Sequence, residues 1–289
     1  MYNGERTIQR AVESCLNQIY LNVEILVINN ESTDSTLSLL NEFQDSRVKI
    51  FGTIKGRSRA RNMGIAESTG KYILFLDADD ALYKDRIDIG VKYLESNLDF
   101  FGHVCCVDYF DENNQSMLKV VRPNYSGHLD MLEQNPFPIN SVLFTNNNKK
   151  YFEENLDYNE DWLFYANVLK EKKIYIDLGY TGAIVYVHEN NTMSDLDKMI
   201  GYQLVVQSKV IQLLTNSQKC LYNKRSLKLL LLYNFLEKQE SLHREIKHIY
   251  KGFYYLSYFI CRVPFLSTIL ANRSKRFKKE YYYIQEENN

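Results

Sequence analysis

The sequence predicts an α/β protein with a mostly parallel sheet, covered on both faces by helices, followed by a helical C-terminal region. Over roughly the first 110 residues, short apolar strands alternate with helical segments. The strands are apolar at successive positions, which is typical of strands buried on both faces. Nearly everything after about Ser194 has helical character. We therefore expect an α/β domain over residues 1–194 and a helical appendage over residues 195–289.

Local patterns place the first two helices and strands. Residues 6–18 carry apolar side chains, Ile8 and Val12 among them, at helical spacing. Residues 23–28, VEILVI, form a short β-rich run. Residues 32–44 start with residues that cap helices and continue as a helix. Residues 47–51 are the second predicted strand.

The same alternation continues along the chain. The next predicted elements are a helix over residues 56–69, a strand over 71–77, a helix over 85–97 and a strand over 100–110. The helix over residues 56–69 ends at Gly70, a residue that commonly stops helices. Further on, KIYIDLG and AIVYVH are expected to form a pair of strands near residues 173–188.

Composition and charge limit the functional classes. The 289 residues include 35 basic and 36 acidic side chains, so the formal net charge of −1 gives no reason to expect nucleic acid as a partner. The five cysteines form no CxxC pair, which indicates reduced thiols in the cytoplasm. The polar start MYNGERTIQR does not have the pattern of a signal peptide, so a cytoplasmic location is predicted.

A ligand site is expected at the carboxyl ends of the strands, where open α/β sheets bind their ligands. Three polar stretches fall there: YNG at the start, NNESTD after Ile28, and DADD after Leu76. Asp77 and Asp79 offer the hard oxygen ligands that Mg²⁺ or Mn²⁺ prefers, usually shared with substrate phosphates. The alternative is that these acids cap the next helix, which we consider for Asp80.

The two stretches YNGERTIQRAVESCLNQIYLNVEILVINNESTD and GRSRARNMGIAESTGKYILFLDADD resemble the nucleotide-binding half of family 2 glycosyltransferases, which have the GT-A fold. The resemblance covers roughly residues 2–110 and implies a nucleoside diphosphate sugar donor. By this resemblance, Tyr2 matches the tyrosine that packs on the base, and Asn29 and Asn30 match an aspartate pair, one of which bonds the base edge. Arg57 or a neighbouring residue is expected near the nucleotide. Asp77 matches the residue near the ribose, and Asp79 matches the metal ligand.

This chain departs from the family pattern in one turn. Where the family usually has Asp-Asp-Gly, the sequence has Asn29, Asn30 and Glu31. An amide can still bond a uracil edge, because it offers both a donor and an acceptor. A glutamate in place of glycine predicts that the turn does not need a positive φ at residue 31.

The acidic pair Glu160 and Asp161 is the predicted source of the general base. Transfer of a sugar requires that the acceptor hydroxyl lose a proton, which a carboxylate can accept. The family has a similar acidic pair, so the resemblance implies Asp161 as the base, with Glu160 as the alternative. Acids in the first turn of a helix can also simply complement its dipole.

His188 follows a predicted strand, and the resemblance suggests that it is a ligand of the metal or of the diphosphate. The other interpretation is a structural histidine.

Three arginines invite a phosphate-clamp interpretation. On a helix, Arg57 and Arg61 share a face and Arg59 points away. At least one of the three is therefore expected to be a solvated charge.

The C-terminal region has an apolar helical stripe and a basic-aromatic cluster. The stripe runs through Leu242, Ile246, Ile249, Phe253, Leu256 and Ile260. The stripe is expected to pack on the catalytic domain. The basic-aromatic cluster over residues 272–283 is instead expected to form a peripheral membrane surface, on which basic side chains contact anionic lipid.

Together these features predict a metal-dependent glycosyltransferase of bacterial surface polysaccharide synthesis, with a lipid-linked glycan as acceptor. A non-catalytic nucleotide-sugar binder is the first alternative. A phosphatase of haloacid dehalogenase type is the second alternative, although Ala81 stands where such a phosphatase would have Thr or Val.

The family's chain usually has an apolar strand before the Tyr-Asn-Gly stretch. Because Met1 directly precedes Tyr2, we expect a gap between the strands at 23–28 and 71–77 and a natural start farther upstream.

Overall fold

The computed structural model describes residues 1–113, 115–147, 149–188, 196–215, 223–236 and 238–272. Its helices are α1 (Ile8–Leu16), α2 (Thr36–Leu40), α3 (Arg57–Glu67), α4 (Arg86–Ser96), α5 (Glu160–Val168), α6 (Leu196–Thr215), α7 (Lys224–Tyr233), α8 (Glu240–Ile260) and α9 (Pro264–Asn272). Its strands are β1 (Ile25–Asn29), β2 (Val48–Gly52), β3 (Tyr72–Leu74), β4 (Ala81–Leu82), β5 (Gly102–Asp111), β6 (Ser116–Val121), β7 (Val142–Thr145) and β8 (Ile174–Val187). The predicted α/β class is confirmed, and the elements up to β5 lie close to their expected positions, except for the short strand β4, which the sequence pattern does not predict.

The strands form two sheets, and the larger one is mixed rather than mostly parallel. β1 and β2 pair in parallel as a two-stranded sheet. The larger sheet has the order β3-β7-β5-β8-β4, with β6 added on β5. Only β5 and β8 are parallel there, and the other described pairings are antiparallel. The prediction of a mostly parallel sheet is therefore wrong beyond β3, because β7 enters the sheet between β3 and β5.

A single strand replaces the pair expected near residues 173–188. β8 runs unbroken for 14 residues beside β5. The register shifts between Cys105 and Cys106, so that Cys105 lies opposite Asp177 and Cys106 opposite Thr181. Extra residues of β8 are thus absorbed as a bulge. Gly179, which suggests a turn in the sequence, lies in this bulged stretch.

Packing of α5 against the sheet builds the main core. Trp162 and Tyr165 are buried, and each also satisfies its polar atom: Trp162 Nε1 donates to the carbonyl of Met131 at 2.8 Å, and Tyr165 Oη donates to the carbonyl of Ile139 at 2.7 Å. Buried Tyr and Trp side chains need such partners. These bonds fix the first turn of α5, where Glu160 and Asp161 lie.

The C-terminal helices pack on this core through α6, which contacts α5, α7 and α8. Leu242 and Ile246 of the predicted stripe are buried among α6 and α7, together with Tyr250 and Tyr254. In the described part of the chain, the first half of the stripe therefore packs on α6 and α7 of the helical C-terminal region, and not directly on the catalytic domain as predicted. Leu256, at the other end, is 50% exposed. The domain boundary near residue 194 lies outside the described residues and stays a prediction.

β1 and β3 lie in separate sheets, as expected from the sequence. Among the described residues β1 pairs only with β2, and β3 only with β7. A cavity of about 2030 Å³ is lined by residues 23–28 on one side of this separation and by residues 71–76 on the other. Met1 lies at its mouth: the Met1 amino group donates to the carbonyl of Ile28, and the amide of Asn30 donates to the carbonyl of Met1, both at 2.8 Å. This is the bonding pattern of a parallel ladder beside β1.

Candidate active site

Six of the residues predicted for the site line the cavity beside β1 and β3: Tyr2, Asn30, Arg57, Asp77, Asp79 and His188. Its polar edge begins directly after β3, where the chain turns through Asp77, Asp79 and Asp80. One carboxylate oxygen of each of these three acids lies within 4.8 Å of the others. Such closeness of like charges is unfavourable unless cations compensate it. The strand end therefore concentrates negative charge where a cation or cationic side chains are needed.

Asp80 is buried and has a structural role, unlike Asp77 and Asp79. It is 4% exposed, accepts from Asn140 Nδ2 at 3.1 Å and accepts from the amide of Tyr186 at 3.2 Å. Burial, reinforced by the nearby charges of Asp77 and Asp79, raises its pKa well above the usual value. The suggestion that Asp80 caps the next helix is wrong, because it ties the acidic loop to β8 and Asp85 precedes that helix instead.

His188 approaches the acidic loop from the end of β8. Its Nε2 lies 3.2 Å from Asp79 Oδ2. Arg10 of α1 supports the same loop: it donates to the main-chain carbonyl of Asp79 at 2.6 Å and pairs with Glu112 at 2.7 Å. Its guanidinium carbon also lies 3.5 Å from the centre of the Tyr186 ring. Two elements, α1 and the end of β8, thus contact Asp79 directly.

Two arginines of α3 bring the acidic loop and α5 together. Arg61 donates to Asp77 and to Glu160, each at 2.9 Å, and Arg57 donates to Glu160 at 3.3 Å. Arg59 pairs instead with Glu154 at the surface. The helical-face argument that separated Arg59 from the other two is confirmed by these contacts.

The charges of this network shift one another's pKa values. Desolvation opposes ionisation of Asp77, but the guanidinium groups of Arg61 and Arg57 outweigh it and lower the pKa of Asp77. Desolvation also disfavours the charged form of Arg61, yet the carboxylates of Asp77 and Glu160 raise its pKa overall. Both groups are therefore ionised at neutral pH.

Asp161 is the titratable member of the pair on α5. Burial and then the charge of Glu160 raise its pKa to about 6, despite the attraction of Arg61. Its Oδ2 accepts from Asn135 Nδ2 at 2.9 Å and its Oδ1 from the amide of Trp162 at 2.8 Å. A carboxylate that is oriented and has a pKa near neutrality is suited to accept a proton.

The turn after β1 is organised by its own side chains. Asn29 Oδ1 accepts from the amide of Ser32 at 3.1 Å, and Asn30 Oδ1 accepts from the amide of Gly56 at 2.8 Å. Gly56 has φ +153°, a conformation that side chains rarely adopt, and it begins α3. Asn30 therefore fixes the start of the helix that carries Arg57 and Arg61.

The expectation about Glu31 is wrong. Its φ is +58°, so this turn does need the left-handed region although the residue is not glycine. The Glu31 carboxylate accepts from the amide of Lys55 at 3.1 Å, which helps to hold the strained conformation. Tyr2 is 43% exposed nearby, with the Lys55 ammonium 4.1 Å from its ring centre.

The donor set fits a hard divalent cation. Asp79 presents a carboxylate to the cavity beside His188 Nε2, whereas Asp77 already pairs with Arg61 and Asp80 has both oxygens bonded within the protein. Mg²⁺ is commonly bound through one or two carboxylates plus substrate phosphates. Asp79, beside His188, is thus the carboxylate of the DxD motif that faces the cavity without an arginine side chain paired to it in the described part of the chain.

Sequence reasoning misses two residues of this arrangement. Asn135 and Arg10 lie far from the acidic motifs in sequence, and no local pattern distinguishes them. For Arg61, the four-residue spacing from Arg57 predicts the common face on α3 but not the contacts with Asp77 and Glu160.

The edge of the cavity thus combines a strand-end carboxylate cluster, two arginines of α3 and a partly buried acid of α5. The chain belongs to glycosyl transferase family 2, whose model matches residues 1–156. The resemblance stated from the sequence is thereby confirmed.

Two curated relatives illustrate the range of the family. An uncharacterised glycosyltransferase of Haemophilus influenzae is 30% identical over 203 residues, which cover 69% of this chain and 78% of the relative. The UDP-Glc:alpha-D-GlcNAc-diphosphoundecaprenol beta-1,3-glucosyltransferase WfgD of Escherichia coli is 29% identical over 177 residues, covering 60% of this chain and 68% of that protein. The chain spans only 23–30% of three rickettsial glycosyltransferases that it also matches.

Solved structures confirm the GT-A fold. TarS of S. aureus, in complex with UDP-GlcNAc, superposes with a TM-score of 0.60 at 14% identity, covering 97% of this chain and 90% of that one. The mannosyltransferase PcManGT of Pyrobaculum calidifontis, in complex with GDP-Man and Mn²⁺, gives a TM-score of 0.54 at 14% identity, covering 96% and 86%.

Proposed function

We propose that the chain transfers a sugar from a UDP-sugar to a hydroxyl of a lipid-linked glycan, with inversion at the anomeric carbon. One observation carries the proposal: Arg61 pairs both with Asp77 at the strand end and with Glu160, the residue next to Asp161, whose pKa is raised to about 6. Base and donor site therefore share one network. The names of the E. coli relative and of the TarS complex support a UDP-sugar, and the former supports a diphosphoundecaprenol acceptor.

The donor is proposed to lie along the cavity edge formed by the loops after β1 and β3. Tyr2 is exposed there and can stack on the base. The amide nitrogens of Asn29 and Asn30 are the groups of this turn that can reach a base edge, because their oxygens already accept from the main chain. Arg57, 43% exposed, can meet the diphosphate. Asp77 is proposed to contact the ribose.

Asp79 and His188 are proposed to hold a divalent cation, Mg²⁺ or Mn²⁺. Such a cation, when bound, stabilises the negative charge of the leaving diphosphate as a Lewis acid. Support comes from the carboxylate and imidazole pair at 3.2 Å and from the Mn²⁺ in the complex of the mannosyltransferase neighbour.

Asp161 is proposed to accept the proton of the acceptor hydroxyl. Asn135 and the amide of Trp162 orient its two oxygens. Glu160, the alternative base of the sequence analysis, is held by two arginines and is 3% exposed. We therefore assign Glu160 the role of a counter-ion that positions Arg57 and Arg61.

Surface polysaccharide synthesis, a cytoplasmic location and a position at the membrane remain part of this proposal. The non-catalytic nucleotide-sugar binder is the competing function, which differs in that it binds the donor without transferring the sugar. Membership of family 2 removes the phosphatase of haloacid dehalogenase type.

A two-part assay separates transferase from binder. Thermal shifts with UDP-, GDP- and dTDP-sugars, each with and without Mn²⁺, identify the donor, because a ligand of the native state raises the melting temperature. Release of UDP in the presence of a diphosphoundecaprenol-linked sugar then measures transfer. Donor binding without any UDP release across acceptors of this class would support the binder instead.

A further inference from the structure

The end of the described chain concentrates exposed apolar side chains. Of the 18 large hydrophobic residues that are exposed in the described part, eight lie between residues 255 and 269. We call these eight the terminal apolar surface: Tyr255, Leu256, Tyr258, Phe259, Val263, Phe265, Leu266 and Ile269. Large exposed apolar patches mark interaction sites, and eight such side chains lie within 15 consecutive residues here.

The terminal apolar surface is carried by two short helical arms at a sharp angle. The first arm is the last turns of α8, beyond Tyr254, the last large apolar residue of α8 that is buried. The second is α9, and the two helices are bent by 98° relative to each other. No single described helix is long and apolar enough to cross a bilayer, although this bent pair together has the composition. Short arms with aromatic and aliphatic faces are suited to lie within the bilayer interface.

Charge distinguishes this end of the protein from the rest. Between Ile246 and Lys279 the sequence has no Asp or Glu and eight Lys or Arg, so this stretch carries +8 and the remaining chain −9. Two of these bases lie among the described residues of the surface: Lys251 is exposed, and Arg262 stacks 3.5 Å from the ring centre of Tyr258. Bases beside aromatic residues are typical of surfaces that meet lipid headgroups.

We propose that the terminal apolar surface docks on the interface of an anionic bilayer, with Phe259 and Phe265 inserted among the lipids and Lys251 and Arg262 at the headgroups. The positive charge beside the terminal apolar surface favours an anionic bilayer over a second copy of the chain as the binding partner. A second copy of the chain would bring the same bases, Lys251 and Arg262, against this patch, and like charges oppose such contact. Anionic lipid supplies both the apolar phase and the neutralising charge.

Phe259 and Phe265 are 71% and 75% exposed, so their replacement leaves the folded core intact. The test is co-sedimentation with vesicles of equal parts phosphatidylglycerol and phosphatidylcholine at low salt. The double variant Phe259→Ser/Phe265→Ser is expected to lower the partition coefficient at least about 10-fold, because the inserted rings supply most of the apolar contact. The control Leu21→Ser/Leu98→Ser alters residues 72% and 78% exposed elsewhere and is expected to pellet like the unmutated chain.

A second pair of substitutions tests the contribution of the basic side chains to vesicle binding. Lys251→Gln/Arg262→Gln is expected to weaken binding to the anionic vesicles and leave the weaker binding to pure phosphatidylcholine unchanged. Equal pelleting of the Phe and Leu variants overturns the proposal. So does a chain that stays in the supernatant, or an unmutated dimer that the Phe variant converts to monomer without any vesicle binding. No sugar donor enters this assay, so its failure is distinct from failure of the proposed transferase activity.

Discussion

Arg61 and Glu160 form an ion pair at 2.9 Å with side chains only 10% and 3% exposed. The pair joins α3, which borders the proposed donor site, to α5, which carries the proposed base. Arg61 also holds Asp77 at 2.9 Å, so one guanidinium fixes the spacing between the acidic loop and the acceptor side. Removing one partner of a buried ion pair leaves the other charge buried without compensation, and this strongly destabilises the fold.

Replacing Arg61 is expected to be strongly destabilising. Arg61→Met leaves Glu160 buried with only the longer contact to Arg57, and loss of one partner of a buried pair costs about 3–5 kcal/mol. Arg59→Met is the matched control, since the Arg59–Glu154 pair is 43% and 44% exposed and should contribute at most about 1 kcal/mol. Urea unfolding measures both. Equal midpoints for the two variants would contradict the buried role of Arg61.

Replacing Asp161 is expected to abolish most transfer while donor binding persists. Asp161→Asn removes the proton acceptor, a loss that commonly lowers turnover by about 10²–10⁴-fold. Asp88→Asn is the control, because Asp88 also lies in the first turn of a helix and tests the helix-dipole explanation. Single-turnover assays and calorimetry of the nucleotide separate the two effects. Unchanged turnover of Asp161→Asn would move the base to another group, Glu160 first.

The raised pKa of Asp161 predicts two opposite pH effects. A base must be deprotonated, so turnover should fall about tenfold per pH unit below about pH 6. The folded pKa lies above the usual value of 3.8, so ionisation of Asp161 disfavours folding fully above pH 6, and this penalty disappears as pH falls below about 4. Asp161→Asn should therefore raise stability at pH 8 by about 1–3 kcal/mol. At pH 4 the gain should vanish; denaturant melts at both pH values check the sign.

Asp79 is expected to make nucleotide binding depend on metal. Asp79→Ala should remove the difference in UDP affinity measured by calorimetry with Mn²⁺ and with a chelator, because the carboxylate is proposed to share the ion with the diphosphate. Asp45→Ala, which alters an acid that pairs with Arg47 at 2.8 Å away from the site, should keep that difference. If the unmutated chain binds UDP equally in both conditions, the metal role is wrong.

Local sequence patterns were sufficient for the features that depend on neighbours along the chain. Periodicity placed α1, α3 and α4, and the polar strand end at Asp77 marked the site, because these depend on residues within one or two turns. The four-residue spacing of Arg57 and Arg61 likewise predicted their common face. A family resemblance then supplied Asp161, which lies far from the acidic loop in sequence.

The predictions that were wrong concern features that depend on contacts between residues distant in sequence. Asp80 is held by Asn140 and Tyr186, residues 60 and 106 positions away, so its burial had no local signal. The antiparallel entry of β7 between β3 and β5 likewise follows from long-range pairing. Glu31 takes a positive φ because Lys55 holds its carboxylate, which overrides the usual preference for glycine.

An apolar strand placed ahead of Met1 is expected to fill the separation between β1 and β3. Met1 already makes the two ladder bonds that flank Asn29, so a chain extended back from it runs beside β1 in the same direction. The cavity there is lined by residues 23–28 and 71–76. The proposed extension is about seven residues long, at a rise of about 3.3 Å each.

Each new buried hydrogen bond contributes about 0.5–1.5 kcal/mol, and the apolar side chains add to this. An extension of alternating Val and Ile should therefore raise the melting temperature, and it should tighten UDP binding because β1 and β3 lead into the two loops of the donor site. An extension of equal length made of Gly and Ser is the control for added chain. A Val-Ile extension that melts and binds UDP like the Gly-Ser one would show that the space between β1 and β3 does not accept a strand.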